Sequence, residues 1–86
     1  MKVVIVFRER SDKAREAFEW IGQFERRTGK TVEMIDPETP EGETFASARD
    51  IVEYPTVLAV SDDGKIYEMW TGSLMPTVDT VMAYMV

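Results

Sequence analysis

The chain has 86 residues, 44% of them apolar, and carries a net charge of −6. It contains neither cysteine nor histidine, which excludes disulfide staples, thiolate metal sites, imidazole catalysis and Ser-His or Cys-His nucleophile pairs. Stability must come from hydrophobic packing in one small domain spanning residues 1–86, and the acidic balance argues against nonspecific nucleic-acid binding.

Val3-Val4-Ile5-Val6-Phe7 is an unbroken apolar run, too short for a helix and β-branched at four positions, which predicts a central strand covered on both faces. Arg8-Glu9-Arg10 returns the backbone to the surface, and Ser11 suits a helix N-cap with Asp12 in the first turn. Ala14, Ala17, Phe18, Ile21 and Phe24 then recur at three- and four-residue intervals, with Trp20 at one edge of that face. Arg26, Arg27 and Lys30 gather at the far end, and Gly29 terminates a helix of about residues 12–28. Thr31–Ile35 reads as a second, half-buried strand, parallel to the first through a right-handed crossover.

Asp36–Glu43 reads as an acidic loop broken by two prolines, without calcium-ligand spacing. A short helix over Thr44 to Arg49 or Asp50 follows, burying Phe45 and Ala48 with Ile51 or Val52. Val57–Val60 is a second continuously apolar run and predicts another central strand, with Pro55 at its entrance, where a residue that cannot donate is tolerated. Ser61-Asp62-Asp63-Gly64-Lys65 is hairpin chemistry, leading to an outer antiparallel strand over Ile66–Trp70. A last helix runs from near Pro76 to the terminus, with Val78, Val81, Met82 and Met85 on one face.

Ile51-x-x-Tyr54-Pro55-Thr56, an apolar strand, an Asp-Gly turn, a second strand and Gly72 together resemble the C-terminal half of thioredoxins. The resemblance implies a cis Tyr54–Pro55 bond whose loop walls a substrate groove. It also implies an α/β fold of βαβ-α-ββ-α order, a three-layer sandwich around a mixed four-stranded sheet. The sheet would run in order 2-1-3-4 with helices on both faces, in the short, glutaredoxin-sized form. Laid on the glutaredoxin-like pattern, Ser11 and Ala14 stand where the CxxC cysteines would be, so no dithiol chemistry is available and the chain is not read as an enzyme.

Three functions fit this reading. In the first, a redox-inactive domain docks a protein or peptide segment in the cis-Pro groove by strand-like main-chain hydrogen bonds. Arg8, Arg10, Ser11, Asp12 and Lys13 would form one wall, with Tyr54, Pro55, Thr56, Gly72 and Ser73 opposite. In the second, a small anion or glutathione-like ligand sits at the helix N-terminus beside Arg8, Arg10 and Lys13. In the third, the domain is a structural subunit of a larger assembly, with Trp20, Trp70 or Met75 in an apolar contact patch. No cofactor or metal is expected. Residues 1–30 carry a balance of +3 and residues 31–86 one of −9, so the basic loop stands out in an acidic protein. No run approaches the roughly 18 apolar residues of a membrane span, and Met1-Lys2 enters a strand-like run directly, which reads as cytoplasmic.

Overall fold

The four buried residues Val3–Val6 lie inside β1 (Lys2–Val6), one of two central strands in a computed structural model that describes residues 1–72 and 75–85. β1 pairs in parallel with β2 (Val32–Ile35), from Val3↔Val32 to Val6↔Ile35. On its other side it pairs antiparallel with β3 (Thr56–Val60), from Lys2↔Val60 to Val6↔Thr56. β4 (Ile66–Thr71) closes the sheet antiparallel to β3, with a register irregularity between Ala59 and Val60. The order is β2-β1-β3-β4, as expected from the sequence. Among the described residues no helix is long and apolar enough to cross a membrane.

Because successive strand side chains point to opposite faces, the two β-branched central strands feed two separate cores. Val3, Ile5 and Val57 pack against α1 (Ala14–Thr28) and α3 (Val78–Met82) through Ala17, Ile21, Phe24 and Val81. Val4, Val6, Leu58 and Val60 face α2 (Pro40–Ala48), meeting Ala46 and the following Ile51. Each buried Val, Ile or Leu contributes about 1.5–3 kcal/mol relative to exposure, so the continuous apolar runs explain why these strands are central. β4, with no fully buried side chain, is an edge.

The helices depart from the sequence reading in instructive ways. α1 starts at Ala14, two residues later than expected, with Lys13 in the cap position and no side-chain cap. Trp20 is in the core, stacked on Phe24 at 5.4 Å, while Phe18 is 47% exposed and meets Phe7 edge-on at 5.1 Å. The indole decides this exchange, since its N–H donates to the Pro76 carbonyl at 2.7 Å and needs a partner where it is buried. Trp20 therefore does not belong to an exposed contact patch. Gly29 ends α1 in the left-handed conformation, its N–H donating to the Glu25 carbonyl.

α2 begins at Pro40, inside the segment expected to be loop. Thr39 is its N-cap, accepting from the Gly42 N–H at 3.0 Å, and Pro40 occupies the first helical position, where a missing N–H costs nothing. Starting earlier rotates the buried face, so Ala46 and Gly42 are inside and Ala48 is exposed. Ile51 is buried, whereas Val52 is 81% exposed. α3 likewise starts at Val78, capped by Thr77, with Pro76 before the cap, and passes into a 3-10 turn over Ala83–Met85.

Candidate functional site

The register Val6↔Thr56 and Thr56↔Thr71 brings three chain segments to one end of the sheet. These are the exit of β1 at Phe7-Arg8, the loop Tyr54-Pro55-Thr56 entering β3, and the end of β4 at Gly72. The Tyr54–Pro55 peptide is cis. Pro55 and Thr56 are fully buried, and the Thr56 hydroxyl donates to the Glu53 carbonyl at 2.6 Å. They shape the loop from within and offer no side-chain atom to a ligand.

Tyr54 is half-buried, its hydroxyl donating to the Ile51 carbonyl at 3.3 Å. The exposed Arg8 guanidinium lies over the Tyr54 ring, 5.2 Å from its centroid. Such a cation–π contact is worth about 0.5–1 kcal/mol at an exposed position. It ties the β1–α1 loop to the Pro55 loop and leaves the charged head at the surface.

Gly72 has φ +89°, and a Cβ there would stand 2.8 Å from the Glu53 Oε2. The Glu53 carboxylate therefore lies directly over the Gly72 backbone. Glu53 is a rim residue that sequence reasoning passed over, because only the tertiary pairing of β3 with β4 brings it to Gly72. Ser73, expected beside Gly72, lies outside the described residues.

Ser11 is not the α1 N-cap. Its N–H and hydroxyl both donate to the Arg8 carbonyl, at 3.2 and 2.8 Å, closing a turn over residues 8–11. Its own carbonyl accepts from the Ala14 N–H at 3.2 Å and passes the chain into the helix one turn later. With that carbonyl already available on Arg8, the serine satisfies the turn rather than the helix end. Asp12 and Lys13 are exposed on this connection.

Arg10 turns the other way. It lines a recess with Glu9, Asp36, Glu38 and Thr39, on the side where β2 meets α2. The expected basic cluster of Arg8, Arg10 and Lys13 is thus divided, and positive charge beside Tyr54 comes from Arg8. Glu53 stands over Gly72 on the β4 side of the loop. Among the described residues, the Arg8 guanidinium, the Tyr54 ring and the Glu53 carboxylate surround this end of the sheet.

No protein-family model matches the sequence, and no curated protein matches it significantly. Solved structures do resemble it. Thioredoxin 1 from the thermophilic eubacterium Thermosipho africanus TCF52B superposes with a TM-score of 0.71 at 13% identity, over 99% of this chain and 90% of that one. Thioredoxin-2, described as a component of the malaria parasite protein secretion machinery, gives 0.69 at 10% identity, over 98% and 81%. A further malarial protein gives 0.67 at 10% identity, over 99% and 94%. The strand order, the two-sided helices and these neighbours agree, and the fold of this cysteine-free chain is thioredoxin-like.

Proposed function

We propose that this thioredoxin-like domain is redox-inactive and binds an extended segment of another protein in the groove beside Tyr54-Pro55-Thr56. The observation that carries the reading is the Arg8 guanidinium over the Tyr54 ring, which joins the two loops into one surface with a charged, exposed head. The Glu53 carboxylate over Gly72 marks the other wall, and the bare Val52 side chain adds an apolar contact beside the loop. Without cysteine the domain cannot form the mixed disulfide through which thiol exchange proceeds. Main-chain hydrogen bonds to an extended segment would supply affinity, and Arg8 would favour an acidic residue in it.

The test is a titration of the isotope-labelled protein with a short, acetylated acidic peptide, followed by NMR. Amide shifts should centre on Arg8, Tyr54–Thr56 and Gly72, and weaken as salt rises. Arg8→Glu should lower affinity about three- to tenfold, while Lys30→Glu, beyond the far end of α1, should not. Shifts centred on Thr31–Ile35, or indifference to Arg8→Glu, would overturn the reading.

A further inference from the structure

Across β1 from the Tyr54 loop, at the same end of the sheet, a groove of about 490 Å³ runs between the free edge of β2 and the start of α2. Met34, Ile35 and Phe45 supply its apolar surface, and Glu9, Glu33, Asp36 and Glu41 supply four carboxylates with no base among its lining residues. Arg10 lines the adjoining recess, and Arg49 lies over the Phe45 ring, held by the Phe45 carbonyl, outside the groove lining. Glu33 is paired with Lys2 at 3.3 Å on an exposed surface, a contact of the kind that exchanges readily with a competing cation.

The backbone of β2 narrows what this groove can accept. Ile35 gives its carbonyl to the Phe7 N–H, so in the parallel ladder odd-numbered residues of β2 face β1 and even-numbered ones face outward. The outward N–H of Val32 is taken by the Glu25 carboxylate at 3.0 Å. The outward carbonyl of Asp36 is taken by the N–H and hydroxyl of Thr39, at 3.1 and 2.8 Å. One outward group at each end of the edge is thereby taken. Among the described residues, the Val32 carbonyl, the N–H and carbonyl of Met34 and the Asp36 N–H remain as an open pairing site.

We infer that this edge and groove dock a basic, extended segment of a partner protein, paired antiparallel to β2 and centred opposite Met34. Antiparallel pairing exchanges both main-chain bonds between one occupant residue and Met34, and the occupant residue two places later donates to the Val32 carbonyl. Glu33 and Ile35 face α2, so the occupant residues opposite them also point into the groove. The one opposite Ile35 should be apolar, meeting Ile35 and Phe45. The one opposite Glu33, two positions further along the occupant, should be Lys or Arg, reaching the carboxylates. The occupant motif is therefore apolar-x-basic. This site does not depend on the one beside Tyr54 and has the opposite charge preference.

The probe is a short, capped peptide with leucine–threonine–lysine at its centre, added to the isotope-labelled full chain. Amide shifts should centre on Val32–Asp36 and Gly42–Phe45. Affinity should fall about fivefold in the double variant Glu33→Gln and Glu41→Gln, both surface positions, whose unshifted remaining spectrum verifies folding. A peptide with glutamate in place of lysine should not produce this shift pattern. Four results would overturn the inference. They are equal binding of the glutamate peptide, stronger binding of the reversed lysine–threonine–leucine order, the same shifts with free spermidine at comparable affinity, and shifts centred on Tyr54–Thr56.

Discussion

Single side chains hold the turns of this small protein. Ser61, buried at the start of the β3–β4 turn, accepts from the Lys65 N–H at 2.9 Å and donates its hydroxyl to the Asp63 carboxylate. The Ser61 hydroxyl, and after it the Lys65 N–H, hold the Asp63 carboxyl below its ordinary pKa. A folded-state pKa below the unfolded one stabilises the protein at pH values above the unfolded value. That contribution is lost as the pH falls through the folded value. Ser61→Ala should therefore move the Asp63 titration back toward the usual carboxylate range, read by carboxyl carbon NMR. It should also reduce the acid sensitivity of the hairpin. An unchanged Asp63 midpoint in the variant would show that the hydroxyl is not the main cause.

Between elements, the docking of α2 depends on a missing side chain. A Cβ on Gly42 would stand 1.8 Å from the Asp36 carbonyl oxygen, a backbone atom that cannot rotate away. Gly42→Ala should cost about 1–3 kcal/mol, as overpacking does. Urea unfolding should show a lower midpoint at an unchanged slope, and an unchanged midpoint would mean that the segment 36–42 shifts freely. The same segment shows what the sequence could not disclose. Pro37 and Pro40 look alike as helix breakers, yet Pro40 is preceded by Thr39 and sits at the first helical position. The central strands were legible because Val3–Val6 and Val57–Val60 are short, apolar throughout and rich in β-branched residues, as strands covered on both faces are, and their order followed from the thioredoxin resemblance. The face of α1 was legible except at its margins, where Phe18 and Trp20 are separated by a hydrogen bond to Pro76. At the site, the Tyr-Pro-Thr motif located the loop. The division of Arg8 from Arg10 and the placement of Glu53 depend on packing between distant segments, for which local pattern carries no signal.

For the whole molecule, the fold and the chemistry usually associated with it come apart. The two-core sheet is complete without cysteine, because Ser11 and Ala14 satisfy the loop and the buried helix face respectively. In an insulin-reduction assay with dithiothreitol, the protein should leave the rate at its uncatalysed value. Acceleration that persists after rigorous removal of contaminating oxidoreductases would contradict the redox-inactive reading. Ion pairs such as Arg15–Glu19 and Lys2–Glu33 are exposed and contribute little singly, so stability should vary only weakly with salt.

The central position of β1 also sets a timetable. Its parallel partner β2 follows after one helix, but its antiparallel partner β3 reaches it only with Thr56–Val60. At synthesis speeds of about 5–20 residues per second, the stretch from the end of β2 to the end of β3 takes on the order of seconds to make, and until then β1 lacks its antiparallel partner. Its pairing cannot be complete before β3 has followed it. Nascent chains in which β2 but not β3 has cleared the exit tunnel should be protease-sensitive within Val3–Val6, and chains in which β3 has also cleared it should be protected there. Protection already complete before β3 emerges would mean that β1 finds a temporary partner, and that this small domain assembles by a route its final pairing does not display.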